Sequence, residues 1–182
     1  MTELNRLRPG DLRPAPVVLL PVAALATGLL AGVYLDWAHT VMPALRTTGD
    51  RTFVAAQHAL DAAILTPLFL LLFLGAPAAT GAAAVLARSR PGRRLPALVL
   101  VAFGLHLAAF LITVAVHEPL NLVVRAGGAP GQATDPAVLR AAFDEARWAG
   151  WHVVRTVLTV TAFGCLLRAL VVAGRSPGGS RR

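Results

Sequence analysis

The sequence predicts an all-α, integral membrane fold: a four-helix up-and-down bundle with both termini on the cytoplasmic side. Three observations predict it. Of 182 residues, 56% are hydrophobic and only 14% charged, against about a quarter in a typical soluble domain, and the mean hydropathy is +0.65. The apolar residues gather into four runs, each at least as long as the roughly 20 residues that cross the hydrocarbon of a bilayer. The basic residues lie in short arms beside those runs, the distribution that the positive-inside rule produces.

In chain order, residues 1–15 form a basic arm carrying Arg6, Arg8 and Arg13, and the first run covers 16–37. Its front resembles a cleavable leader, with "ALA" at 24–26. The apolar run continues through "TGLLAGVYL" to a spanning length, so an uncleaved first helix is expected. The remaining spans are 59–86, 95–116 and 148–173, and a basic tail at 174–182 is expected to be disordered. Inside lipid every backbone N–H and C=O must be bonded within its own segment, so each span is helical. The Arg clusters place the termini and the "ARSRPGRR" loop (87–94) inside, which leaves 38–58 and 117–147 outside. Within the latter, a flexible stretch at 125–136 precedes "AVLRAAFDEARW". That segment is apolar at Val138, Leu139, Ala142 and Phe143 and reads as a short interfacial helix with Pro136 at its start. Ala and Gly throughout the spans let the four helices approach closely as a single domain over 16–173.

A net charge of +8, from 17 basic and 9 acidic residues, raises nucleic acid as a partner. No aromatic-interleaved basic surface accompanies it, so membrane lipid headgroups are the partner expected instead. The single cysteine, Cys165, lies in an apolar run and reads as a buried structural thiol. HExxH, CxxC and His-x-His patterns, phosphate loops, nucleophile elbows and dinucleotide fingerprints are all missing from the sequence. Four spans without broken mid-membrane helices or repeats make a poor alternating-access transporter.

The polar residues near the spans collect at one end. Asp36 and His39 close the first span, and Gln57, His58, Asp61 and Thr66 open the second. Thr113, His117, Glu118 and Asn121 close the third; Arg147, Trp148, Trp151, His152, Arg155 and Thr156 open the fourth. All four sets fall at the outer end. Asp36 with His39 and His58 with Asp61 are spaced i,i+3, and His117 with Asn121 i,i+4. Trp148, Trp151 and Arg155 follow at i, i+3, i+7, so each set shares a helix face. Arg155 sits two turns into its span, where an unpaired charge costs at least about 2.5 kcal/mol. Asp36 or Asp61 is its expected partner. Pro119 is expected to turn the chain so that Asn121 faces the other corners. His106, in mid-span, is expected either to bond a neighbouring helix or to line the cavity floor. Alone, Trp148 and His39 read as an interface anchor and a loop residue; together, His58, Asp61, His117, Asn121, His152 and Arg155 read as a site.

At these residues the chain resembles a known family. The stretches "GLLAGVYLDWAHTVMPALR" (28–46), "AAQHALDAAILTPLF" (55–69), "TVAVHEPLN" (113–121) and "ARWAGWHVVRT" (146–156) are similar to the anthrone oxygenase-like family of small four-helix membrane proteins. Gly28, Ala31, Gly32, Met42, Pro43 and Leu45 match its first pattern, Pro119 and Asn121 its second, and Trp148, Trp151, Arg155 and Thr156 its last. His117 and His152 stand where that pattern has Asn.

The resemblance implies an oxidoreductase of the bacterial plasma membrane acting on a lipophilic, anthrone- or quinol-like aromatic. Dioxygen would be the co-substrate, with no obligatory cofactor. On this reading His117 or His152 is the base, and Arg155 and Asn121 stabilise an enolate oxygen. Asp61 or Asp36 orients the base or pairs Arg155, and Trp148 and Trp151 stack on the substrate. His58 and Glu118 complete the binding set. Two other classes stay open. One is a redox protein with copper or haem ligated by His58, His117 and His152; the other is a non-enzymatic membrane subunit whose polar cluster is packing.

Overall fold

A computed structural model describes residues 15–89, 92, 94–127 and 135–175. The basic arm before residue 15, most of the 125–136 stretch, parts of the "ARSRPGRR" loop and the tail beyond 175 lie outside the described residues.

Among the described residues every regular element is helical. α1 (Ala15–Asp36) passes through a π turn (Trp37–Val41) into α2 (Met42–Arg46). α3 (Asp50–Ile64) and α4 (Pro67–Ala87) follow. α5 (Arg94–Ile112) passes through a second π turn (Thr113–His117) into α6 (Glu118–Gly127). α7 (Pro136–Phe143) and α8 (Glu145–Gly174) complete the chain. α1 packs on α4 and α8, and α5 packs on the same two helices, closing a four-membered ring. Four helical segments are long and apolar enough to cross a membrane: Val18–Arg46, Pro67–Ala87, Arg94–Gly127 and Pro136–Gly174.

Two cores of different character hold this together. Between the spanning helices the buried cluster is largely alanine: Ala23, Ala24, Ala83, Ala84, Ala102, Ala162 and Ala169, with Leu20, Val99 and Leu166. Lipid tails are as apolar as leucine, so burial there gains little. Close backbone approach, which small residues permit, supplies dispersion contacts instead. Leucines and valines such as Leu25, Leu71, Leu100, Leu111, Val157 and Leu167 face outward. The second cluster is built from Met42, Leu45, Phe53, Val54, Leu120, Val124, Leu139, Phe143 and Trp148. Large side chains of this kind are buried by the hydrophobic effect, which operates where water is the alternative. Length agrees with this division. Arg94–Gly127 has 34 residues, about 50 Å at 1.5 Å per residue, against about 30 Å of hydrocarbon. The excess, with α2, α3 and α7, forms a cap over one end of the bundle.

Between α1 and α8 the approach is close at Gly28, where an added Cβ would lie 2.9 Å from the Phe163 ring. At Gly32, one turn on, a Cβ would meet nothing within 4 Å. Gly28→Leu is therefore expected to destabilise the bundle by about 1–3 kcal/mol, the usual cost of overpacking. Gly32→Leu should be neutral. Thermal unfolding of the two variants in detergent separates them; equal midpoints would contradict the packing described.

Three features correct the sequence expectations. The second span does not start at 59: the chain breaks at Leu65–Thr66, Thr66 Oγ1 accepts from the Phe69 N–H at 3.2 Å, and Pro67 occupies the first turn of α4. A hydroxyl cap followed by proline is a helix start, so α3 belongs to the cap. The third helix does not end at 116, nor does Pro119 turn the chain. In each π turn the hydrogen bond spans five residues: Met42 N–H donates to the Trp37 carbonyl and Glu118 N–H to the Thr113 carbonyl. Each such residue immediately precedes a proline, Pro43 or Pro119. A proline inside an α-helix lacks its N–H and presses on the carbonyl four residues back. Widening the preceding turn by one residue relieves that contact, and the helix runs on. Within the fourth segment, helix α8 begins at Glu145, three residues before 148, after Asp144, which adopts left-handed φ 48° and caps α8 by accepting from the Arg147 N–H at 3.2 Å.

Candidate functional site

Both π turns lie at the cap end, where α1, α5 and α8 meet, and π turns recur at functional sites because they re-aim side chains. The second one carries His117.

Two polar networks meet on Trp148. In the first, Arg125 Nε donates to Asp61 Oδ2 at 2.7 Å and Arg125 Nη1 to Glu118 Oε1 at 3.0 Å. Asn121 Nδ2 donates to Asp61 Oδ1 at 3.0 Å, and Asn121 Oδ1 accepts from Trp148 Nε1 at 2.9 Å. Indole N–H can only donate and carboxylate only accept, so the orientation of the amide is determined. In the second network the Trp148 ring stacks on His152, centroids 4.7 Å apart and planes 13° apart. Arg155 Nε donates to His152 Nδ1 at 3.0 Å and Arg155 Nη1 to Thr113 Oγ1 at 3.0 Å. The Arg155 guanidinium lies 4.4 Å above the Tyr34 ring, a cation–π contact.

The two histidines differ in what their nitrogens can do. His152 Nδ1 accepts from Arg155, so its hydrogen is on Nε2, which donates to the Tyr34 carbonyl at 2.8 Å. Both nitrogens are committed. His117 Nδ1 stands 3.3 Å from the Ile112 carbonyl, which can only accept, so the hydrogen is on Nδ1. The Nε2 lone pair of His117 is buried without a hydrogen-bond partner. Its ring sits edge-on to Trp148 (5.0 Å) and to His152 (5.9 Å). Of the four ring nitrogens, His117 Nε2 is the one left without a partner.

A groove of about 80 Å³ reaches this site between the first π turn and α8. Trp148 and His152 line it and also touch the His117 ring, which itself does not line it. A second void of about 10 Å³, one water's worth, is lined by Tyr34, His106 and Thr159 among apolar residues. His106 takes the first of its two expected roles: its Nε2 lies 3.0 Å from Thr27 Oγ1, across the bundle, and it lines this second void rather than the groove at the site.

Of the residues expected at the site, His117, His152, Arg155, Asn121, Asp61, Glu118 and Trp148 are brought together. Asp36 is exposed and makes no hydrogen bond among the described residues, and His58 is half-buried with none either. Trp151 is 42% exposed on the outside of α8, whereas Trp148, 2% exposed, is enclosed by other side chains rather than offering a free stacking face. Among the described residues Arg155 has no carboxylate partner: Asp61 serves Arg125 instead, and the Tyr34 and Trp148 rings, the Thr113 hydroxyl and the His152 imidazole surround Arg155. No group of three or more His, Cys, Asp or Glu is arranged to hold a metal among the described residues. His58, His117 and His152 therefore form no ligand set, and His152 has no free nitrogen to offer. Sequence reasoning missed Arg125 and Tyr34. Arg125 follows Asn121 at i,i+4 and Glu118 at i,i+7, a periodicity visible in "HEPLNLVVR". Tyr34 is the lone tyrosine, and only the packing of α1 on α8 reveals its use.

The sequence pattern of a family described as anthrone oxygenase matches residues 69–165, more than half of the chain. That stretch includes the second π turn with His117, and Asn121, Trp148, His152 and Arg155; the first π turn, Tyr34 and Asp61 lie before it. No curated protein and no solved structure matches. With a match of that extent across α4 to α8, this chain belongs to the anthrone oxygenase family.

Proposed function

We propose that the protein is a plasma-membrane oxygenase that converts a lipophilic anthrone- or quinol-like aromatic to a quinone, with dioxygen as co-substrate. The observation that carries this reading is the buried, unpartnered Nε2 of His117 beside a cationic guanidinium.

The doubly benzylic CH₂ of an anthrone is acidic because its carbanion is also an aromatic enolate. His117 Nε2 takes that proton. Arg155 uses Nε and Nη1 within the protein, and its Nη2 donates to nothing among the described residues. That nitrogen is free to stabilise the enolate oxygen as negative charge develops. The carbanion passes one electron to triplet dioxygen, which avoids the spin barrier, and the radical pair combines as a hydroperoxide at the former CH₂ carbon. Loss of the remaining C–H proton with cleavage of the O–O bond releases water and leaves the carbonyl. One dioxygen is consumed and one water formed for each CH₂ oxidised to C=O. His152 and Trp148 act as positioning residues: they hold Arg155 and the His117 ring. The groove is smaller than the roughly 150 Å³ that admits one benzene, and His117 lies behind its Trp148 and His152 floor, so the reaction requires the groove to widen beside the first π turn and those two rings to part.

Detergent-purified protein supplied with anthrone should take up dioxygen and form anthraquinone in equal amounts, well above the uncatalysed rate. Uptake equal to that of protein-free detergent would sink the reading.

A further inference from the structure

The groove has a floor and a rim of different chemistry. Trp148 and His152, both buried, form the floor; Met42, Pro43 and Val153 supply apolar walls; Arg46, whose side chain is 49% exposed, stands at the rim. Arg46 ends α2, and its Nε donates to Glu145 Oε1 at 2.7 Å. Glu145 is held in turn by Arg140 Nη2 at 3.1 Å, and Arg140 also donates to the Thr48 carbonyl at 2.8 Å. The guanidinium of Arg46 is thus fixed through one edge. Its Nη1 and Nη2 make no hydrogen bond among the described residues. Two parallel N–H donors on a fixed plane match the two oxygens of a carboxylate.

We infer that Arg46 is a specificity-determining residue that binds an anionic group, a carboxylate, at one end of a flat lipophilic ligand. The physical reason is the groove's position at the junction of cap and bundle. A ring edge entering between apolar walls leaves a charged substituent at the rim, where it stays in water and meets a preset fork. An acid carried deeper would bear the cost of an ion in hydrocarbon. The inference deepens the oxygenase reading by naming a substrate class, acidic rather than neutral polycyclic aromatics, and rests on that reading for the ring system.

The test uses ligands that cannot be oxidised, so it is independent of turnover. Anthraquinone-2-carboxylate and anthraquinone are titrated against full-length protein in phosphatidylcholine nanodiscs, following quenching of tryptophan fluorescence; Trp37 and Trp148 lie 5.8 Å apart beside the groove. The carboxylate should bind about tenfold more tightly, the order expected of a charge-assisted pair. Arg46→Gln should bring its affinity down to that of anthraquinone, and Arg46→Lys, which keeps charge but not the fork, should fall between. Equal affinities in the wild type, no binding of either probe, or equal weakening of both by Arg46→Gln would overturn the assignment. So would an Arg46-dependent loss of binding on adding phosphatidylglycerol without any preference for the carboxylate, which would mark a headgroup site. Tight, Arg46-dependent binding in a protein that fails to oxidise anthrone would leave this inference standing and remove the oxygenase reading.

Discussion

Replacing His117 by glutamine should lower the rate of anthrone oxidation by about 10²–10⁴-fold, the usual contribution of a positioned general base. Glutamine can still donate its amide N–H to the Ile112 carbonyl and fills a similar volume, so the π turn and the contact with Trp148 persist. What it lacks is a basic nitrogen at the position of Nε2. Steady-state dioxygen uptake, with a thermal melt to confirm folding, checks this. The matching substitution at His152 has a different expected result. His152→Gln leaves the base untouched but removes the ring stacked on Trp148, and with it the rigid placement of the acceptor for Arg155 Nε. It should lower stability and activity together. The two histidines looked equivalent in sequence; their hydrogen-bond partners separate them.

Arg155→Met should lower kcat by about 10²–10³-fold with a smaller change in KM, as expected on losing a donor to a developing oxyanion. The fold should survive the change. Methionine occupies a similar space, and the desolvation cost of a buried charge disappears along with its contacts to Tyr34, His152 and Thr113. Arg155→Lys is not a conservative replacement, because a single ammonium cannot serve the His152 and Thr113 directions and a third acceptor in one plane. Its rate should stay close to that of Arg155→Met. An unchanged kcat in both variants would make Arg155 a structural residue only.

The convergence of polar residues on one end of the bundle was legible because helical spacing and span order are local properties of the chain. Partner choice was not. Arg155 is long, buried and charged, and sequence reasoning assigns it the nearest acid; the rotation of α8 instead turns it towards the Tyr34 ring and His152. Asp61 then goes to Arg125, a residue in a stretch whose Gly-Ala-Pro composition reads as loop. Trp148 and Trp151 share a face to within about 60° at 100° per residue, and the boundary between seam and lipid falls between them. The break at Leu65–Thr66 carried its signal, Thr66 before Pro67, within an apolar run that overrode it. The π turns carried theirs in Met42-Pro43 and Glu118-Pro119. A mid-helix proline announces an irregularity, but whether the helix ends, kinks or widens depends on what packs around it.

In the proposed reaction His117 removes a proton from carbon before dioxygen reacts. Exchange of the anthrone CH₂ hydrogens in deuterated buffer under nitrogen, followed by NMR, isolates that step. The wild type should accelerate deuterium incorporation well above the rate in detergent alone, and His117→Gln should return it to that rate. Exchange that is not accelerated by the wild type, or is equally fast in His117→Gln, would contradict the claim.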